Sequence, residues 1–349
     1  MEPNPSTLFL LGASHHTAPI GVREKLALDE ARAAALAARL RQTPGVGEFA
    51  LLSTCNRVEI YGVGRDAESL AALRAGFAET IGCAVDDLEG VLHLRQNHDV
   101  VAHLFSVASG LDSQIVGETE ILGQVKGAYE AALARQWTGP VLNRVFQKTF
   151  QAAKHIRTHT AIGEGQISVA SVAVDLAGKI FGDLAPVNIL VIGAGDIGVK
   201  TVQAFQSRGA RAITVASRTL SKAEEAVAAT GGWAASLAEL PEVLATADIV
   251  ASSTSAPGLV LTHELVAAAM KRRAARPLFL SDLALPRDID PEAARLANAY
   301  LYNLDDLAKI AEGNLAQREA EVARCRAILA ERTAALWPAV AHSLGAGKG

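Results

Sequence analysis

At 349 residues the chain is longer than one core usually organises, so two or three domains are expected. Half of the residues are hydrophobic and 20% are charged, an ordinary globular balance that excludes large-scale disorder. A formal net charge of -4 excludes the strong overall field with which a basic protein attracts a polyanion.

The N-terminal part alternates short apolar runs with amphipathic ones. A strand is predicted over 8–13, a helix near 28–41, strands over 48–53 and 58–63, a helix near 67–80, a strand over 91–95 and a helix from Asp99. The order βαββαβ predicts a ferredoxin-like α+β sandwich and places Thr54, Cys55, Asn56 and Arg57 in the tight connection between two strands. Over 107–157 the pattern turns helical, with Gly110, Gly117, Gly123 and Gly127 read as interruptions of an arm that carries polar groups back toward that connection.

The stretch 156–166 is read as a hinge. A second domain is then predicted to open with a helix near Ser168, an entry turn over 183–186 and a strand over 187–192, and to alternate βαβ to about Asn303. Beyond it comes a long helical run with Leu301, Ala308, Leu315, Val322, Leu329 and Leu336 at seven-residue spacing. The companion positions Leu304, Ala311, Arg318, Cys325 and Arg332 are only partly apolar, and Gly313 and Asn314 weaken the pattern, so a coiled coil is poorly specified. Pro338, after Trp337, is expected to end the helix near Leu336.

No basic region followed by an apolar run opens the chain, and no apolar stretch approaches the roughly 20 residues that span a bilayer, so a cytoplasmic location without membrane contact is expected. Cys55, Cys83 and Cys325 are odd in number and widely spaced; they fit neither a disulfide framework nor a zinc spacing, and free thiols with no metal site are expected. Lys148, Lys154, His155 and Arg157 offer one local basic patch for a nucleic acid and Lys271, Arg272 and Arg273 another, although a solvated helix face is the commoner meaning of such clusters.

The clearest motif is Gly193, Ala194, Gly195, Asp196, Ile197 and Gly198, set between an apolar strand and a helical run. Glycines there let the backbone turn tightly and approach a pyrophosphate that sits on the amides of the helix N-terminus. At the end of the next strand, over 212–216, an NAD enzyme would place an acid against the ribose 2′-hydroxyl; Ser217 and Arg218 stand there instead, with Lys222 one turn on. A hydroxyl and two cations suit a 2′-phosphate, so NADP is expected.

A lone cysteine is more often a small buried hydrophobe than a nucleophile. Cys55 is singled out because a turn between strands is expected to expose it and because Arg57, two residues on, is expected to favour its thiolate. A thioester accepts a hydride far more readily than an ester does, so thiol plus NADP points to acyl reduction through a covalent intermediate. His15 and His16 follow the first strand and are expected to point to opposite faces, which argues against a shared ion. His103 reads as a packed core histidine.

The runs GASHHTAP (12–19), STCNRVEIYG (53–62), VASGLDSQIVGETEILGQVKGAY (107–129), VIGAGDIG (191–198), SDLALPRDIDP (281–291) and YNLDDL (302–307) resemble the glutamyl-tRNA reductase family in order and spacing, over about residues 8–320. The resemblance implies an α/β multidomain chain: an N-terminal ferredoxin-like catalytic domain over 1–160, a Rossmann-type NADP-binding domain over 165–303, and over 304–349 a long spinal helix with a shortened dimerisation region. It implies that Cys55 attacks the aminoacyl ester of glutamyl-tRNA and holds a glutamyl thioester for reduction by NADPH to glutamate-1-semialdehyde. Thr54, Asn56, Arg57, Ser113, Glu118, Thr119, Glu120 and Gln124 would contact the substrate, and His103 would polarise or protonate. Implied partners are glutamyl-tRNA, a second copy through the C-terminal helix, and glutamate-1-semialdehyde aminomutase. Glu120 stands where the family usually has Gln, and His159 where it usually has an acid; a carboxylate added near a substrate carboxylate repels it unless Arg57 or a proton compensates. Two other readings are a shikimate-dehydrogenase-like NADP-dependent ketone reductase, which leaves Cys55 idle, and a non-catalytic NADP-binding or tRNA-binding partner protein.

Overall fold

The alternating N-terminal runs form one antiparallel sheet. In chain order its elements are β1 (Thr7–Ser14), α1 (Ile20–Leu26), α2 (Glu30–Gln42), β2 (Val46–Ser53), β3 (Arg57–Gly64), α3 (Ala67–Ile81) and β4 (His93–Gln96), with strand order β2-β3-β1-β4. This is the expected βαββαβ sandwich, with the short helix α1 as an addition. The computed structural model describes residues 6–65, 67–163, 168–273, 276–312 and 319–346. The chain divides into two units, Met1–Gln166 with Leu315–Gly349, and Ile167–Asn314.

Both faces of the first sheet are covered, which is why every residue of β3 is buried. Phe9, Leu11, Phe49, Val58 and Ile60 pack on Leu36 and Leu40 of α2 and on Leu73 and Phe77 of α3. The alternate residues Leu8, Leu10, Leu52, Tyr61 and Val63 face α4 (His98–Ala108), α5 (Glu120–Ala134) and α6 (Pro140–His159). Gly110 and Gly117 do interrupt the helical arm, with φ of +74° and +91° between α4 and α5. Gly123 and Gly127, expected as interruptions, lie inside α5. Of the expected hinge, residues up to His159 belong to α6, Ala161–Gly163 form a 3-10 turn, and Glu164 to Gln166 lie outside the described residues.

The second unit opens with α7 (Val169–Phe181), capped by Ser168, whose hydroxyl accepts from the Ser171 amide. There follow β5 (Asn188–Ile192), α8 (Asp196–Ser207), β6 (Ala212–Ser217), α9 (Leu220–Thr230), β7 (Trp233–Ser236), α10 (Leu240–Thr246), β8 (Ile249–Ser252), α11 (His263–Lys271), β9 (Leu278–Asp282), β10 (Ala299–Tyr302) and α12 (Leu304–Glu312). The six strands are parallel in the order β10-β9-β8-β5-β6-β7, a Rossmann-type sheet whose direction of winding reverses between β5 and β8.

The C-terminal run differs from its sequence reading. Leu301 lies in β10, α12 belongs to the second unit, Gly313, Asn314, Leu315 and Arg318 lie outside the described residues, and α13 (Glu319–Ala346) belongs to the first unit. Val322, Leu329 and Leu336 are buried in the chain's own core with residues of α4 and α6. Pro338 does not end the helix, which runs through it to Ala346. Packing of a buried stripe on both sides of Pro338 holds the helix where the local preference of Trp337 alone would have broken it. Among the described residues no helix is long and apolar enough to cross a membrane.

Candidate functional site

Register brings buried charge together on the α4 side of the first sheet. Glu59 pairs with Gly12 and Gly12 with His93, so the three form one row across β3, β1 and β4. Directly opposed residues share a face, and a Cβ at Gly12 would lie 2.8 Å from Glu59 Cγ. The missing side chain makes room for Glu59 and His93 to converge over β1. Arg57, Glu59 and Tyr61 reach the same face by the two-residue period of a strand.

His103 of α4 completes the cluster. Glu59 Oε1 accepts from Arg57 Nη1 at 2.8 Å and lies 2.9 Å from His103 Nε2, and Oε2 accepts from the Tyr61 hydroxyl at 2.6 Å. Burial alone would raise the Glu59 carboxyl, but Arg57 and the hydrogen bonds from His103 and Tyr61 outweigh it and hold the group down at about 2. An ionised carboxylate only accepts, so His103 Nε2 carries its proton toward Glu59. His93 is pushed down to about 4, mainly by burial, and is neutral at pH 7.

On its other side, Arg57 Nη2 donates to the Asp112 main-chain carbonyl and, at 3.0 Å, to Asp112 Oδ2. Burial opposes ionisation of Asp112, yet the bond from His16 and the charge of Arg57 hold its carboxyl well below the usual carboxylate range. Asp112 follows Gly110, whose left-handed φ turns the chain back; a Cβ there would lie 2.8 Å from the Glu118 carbonyl.

Thr54, Cys55, Asn56 and Arg57 do form the tight connection between β2 and β3. The Thr54 amide donates to the Arg57 carbonyl at 2.8 Å, and Thr54 Oγ1 accepts from the Asn56 and Arg57 amides at 3.1 and 3.2 Å. Arg23 of α1, buried, clamps the turn from below: Nη1 donates to the Cys55 carbonyl at 2.9 Å and to Asn56 Oδ1 at 2.7 Å.

The Cys55 thiol departs from expectation. It is half-buried rather than exposed. Burial, with Glu118 adding to it, pushes it up to about 12, and Arg23 and Arg57 only partly offset this. Arg57 favours thiolate weakly because its charge is already matched by Glu59 and Asp112. The thiol therefore keeps its proton in this arrangement.

Of the other expected contacts, Ser113 is buried with its hydroxyl unpartnered among the described residues. Thr119 caps α5 in sequence position, and its carbonyl accepts from Arg157 Nη2 at 3.0 Å. Glu118 and Glu120 are half-buried, and Gln124 is exposed on α5. His15 and His16 lie beyond the end of β1, and their rings are 4.0 Å apart rather than on opposite faces, because the strand alternation on which that expectation rested stops at Ser14. Burial pushes His15 down to about 3.

The glycine loop has the shape that its pattern requires. Gly193 has φ +107° and a Cβ on it would lie 2.6 Å from the Ser253 carbonyl; at Gly198 a Cβ would lie 2.0 Å from the Gly193 carbonyl; above Gly195 the space is open. Asp196 and Ile197 begin α8, and Ala194 is half-buried between the first two glycines. A pyrophosphate fits over Gly195 at the N-terminus of α8. Ser217 ends β6 half-buried, and Arg218 and Lys222 are exposed beyond it. Ser253, past the end of β8, turns a buried hydroxyl, unpartnered among the described residues, toward this loop.

Of the basic clusters, Lys148 and Lys154 are exposed and the His155 and His159 rings stack at 4.1 Å. Arg273 is not on a solvated face: it is buried and donates to the Leu244, Ala247 and Pro277 carbonyls.

Sequence reading missed Arg23, Glu59, Tyr61, His93, Asp112 and Ser253. Arg57, Glu59 and Tyr61 carried one available signal, three polar or amphipathic side chains at a strand period inside an otherwise apolar run.

Comparison with known proteins follows the same division. Residues 11–160 match the family described as glutamyl-tRNAGlu reductase, N-terminal domain, and residues 175–310 match that described as shikimate / quinate 5-dehydrogenase. A glutamyl-tRNA reductase of Marinobacter nauticus is 44% identical over 314 residues, 89% of this chain and 72% of that protein; one of Sorangium cellulosum is 43% identical over 347 residues, 94% of this chain and 65% of that protein. The solved glutamyl-tRNA reductase of Methanopyrus kandleri is 32% identical, with a TM-score of 0.51 over 97% of this chain and 81% of that one. An antiparallel domain presenting a cysteine turn, a Rossmann-type domain and this span of likeness place the chain in the glutamyl-tRNA reductase family.

Proposed function

We propose that the chain reduces glutamyl-tRNA to glutamate-1-semialdehyde with NADPH, the first step of five-carbon tetrapyrrole synthesis, through a thioester on Cys55. The observation that carries this reading is the Cys55 turn itself, clamped by Arg23 and leading directly into Arg57 of the buried Arg57, Glu59 and His103 network.

The sulfur of Cys55 attacks the ester carbonyl; its proton goes to the ribose oxygen that leaves with the tRNA, and the glutamyl group stays as thioester. NADPH supplies a hydride when bound, held by Gly193, Ala194, Gly195, Asp196, Ile197 and Gly198 at its pyrophosphate and by Ser217, Arg218 and Lys222 at its 2′-phosphate. Breaking of the carbon–sulfur bond then releases the aldehyde, and Cys55 is reprotonated. Thr54, Asn56, Arg57, Ser113, Glu118, Thr119, Glu120 and Gln124 contact the substrate in this reading. Arg57 Nε and Ser113 Oγ are buried without partners among the described residues, and such orphaned donors are groups that a bound ligand could satisfy. His103, its Nε2 proton aimed at Glu59, acts by polarising or donating. The reading extends to a homodimer and to transfer of the aldehyde to an aminomutase; since Val322, Leu329 and Leu336 are already buried, pairing through α13 has to use its other face. The shikimate-dehydrogenase-like alternative finds support in the second unit alone and leaves the Cys55 turn unexplained.

Incubation with glutamyl-tRNA in the absence of NADPH, followed by mass spectrometry, is expected to show a glutamyl adduct on Cys55, lost in Cys55→Ser together with turnover. Reductive turnover kept by Cys55→Ser, or an adduct elsewhere, overturns the proposal.

A further inference from the structure

Glu59, His93 and His103 each offer one ligand atom, and these atoms all lie within 4.8 Å of one another. The three come from β3, β4 and α4, and sequence spacing gives no sign of the set, since zinc motifs are recognised by short intervals on one element. We propose that they form a binding site for a borderline divalent cation of the zinc class.

Three observations carry it. The donor set, two imidazoles and one carboxylate, matches zinc in type and number and leaves a fourth position open. His93 has both ring nitrogens buried and without partners among the described residues, a costly state for an imidazole that a cation relieves directly. Gly12, lying between Glu59 and His93 in the row, keeps the space over β1 clear, as any Cβ there would strike Glu59. Ligand atoms around a zinc ion sit at about 2.0–2.2 Å from it, so the side chains close inward by rotation about their own bonds.

Charge and proton placement are consistent with occupancy. Around the site stand Glu59 and Asp112 as anions and Arg57 as a cation, with Tyr61 donating to Glu59; Arg95 is the further charge that acts on His93. Coordination through His103 Nε2 moves the ring proton to Nδ1 and breaks the present bond to Glu59, whose oxygen then binds the cation instead. No electron transfer is involved.

Cobalt(II) serves as the probe, because its visible spectrum reports ligand type. Added to the whole protein in a Cys55→Ser, Cys83→Ser, Cys325→Ser background, which removes thiol binding, it is expected to bind once per chain with the spectrum of nitrogen and oxygen ligands and to be displaced by zinc. His93→Ala and His93→Asn are each expected to weaken binding roughly tenfold or more, with circular dichroism unchanged in at least one of them. No stoichiometric binding in the cysteine-free background, or binding that neither His93 substitution weakens, overturns the site. The readout is metal binding, so this failure is separate from failure of the reductase reading.

Discussion

The antiparallel sheet of the first unit and the parallel sheet of the second place their candidate chemistry by opposite means. In the first, Cys55, Arg57, Glu59, His103 and Asp112 come from a turn, a strand, a helix and a loop; Arg57, Glu59, His103 and Asp112 are held by charge and hydrogen bonds in a largely buried space, and the Cys55 turn is clamped by Arg23. In the second, the glycine loop offers backbone, and what matters is which side chains are missing. A network of buried ions is strong while complete and weak once one member is lost; a backbone cradle is indifferent to most neighbours and sensitive to a single added carbon.

The largest effect expected from this contrast is on stability. Glu59→Ala leaves Arg57 buried beside no compensating acid on that side, and removing one partner of a buried pair costs about 3–5 kcal/mol. Urea unfolding is expected to show a loss of that order, and a loss below about 1 kcal/mol would mean that the pair behaves as a surface ion pair. In the second unit, Gly198→Ala brings a Cβ against the Gly193 carbonyl, and such overpacking costs about 1–3 kcal/mol. Calorimetric titration is expected to show NADPH binding weakened roughly tenfold or more, while NADPH affinity equal to that of the parent would break the assignment of the loop.

The third effect is on the thiol. Its ionisation is displaced upward to about 12, so the nucleophilic thiolate is scarce at pH 7 and increases as pH rises. In a Cys83→Ser, Cys325→Ser background, alkylation of Cys55 by iodoacetamide is expected to accelerate about tenfold per pH unit between pH 7 and 10. Glu118→Gln, by removing the acid that adds to the displacement, is expected to speed it at fixed pH. A plateau near pH 8 would show that Arg23 and Arg57 outweigh burial after all.

Legibility in the sequence followed the same line between the two regions. The glycine loop, its flanking strand and helix, and the change from acid to Ser217 and Arg218 could be read directly, because a backbone cradle is built from consecutive residues. The βαββαβ order and the Cys55 turn were also readable from apolar alternation. Glu59 and His93 were not, since what joins them is the register of β3, β1 and β4, and nothing local announces it. The same holds for α13: proline chemistry at Pro338 argued for an end, and burial of Val322, Leu329, Leu336 and Val340 in the core decided otherwise.

By itself, then, the sequence determined the two sheets, the cysteine turn and the dinucleotide loop, all of which depend on short-range periodicity and on glycine. The tertiary structure alone decided that Cys55 is half-buried with its proton held, that Arg57 is matched on both sides, and that Glu59, His93 and His103 meet. Ionisation and ligand geometry depend on distances across strands and on how much water is excluded, and neither quantity exists until the layers have packed.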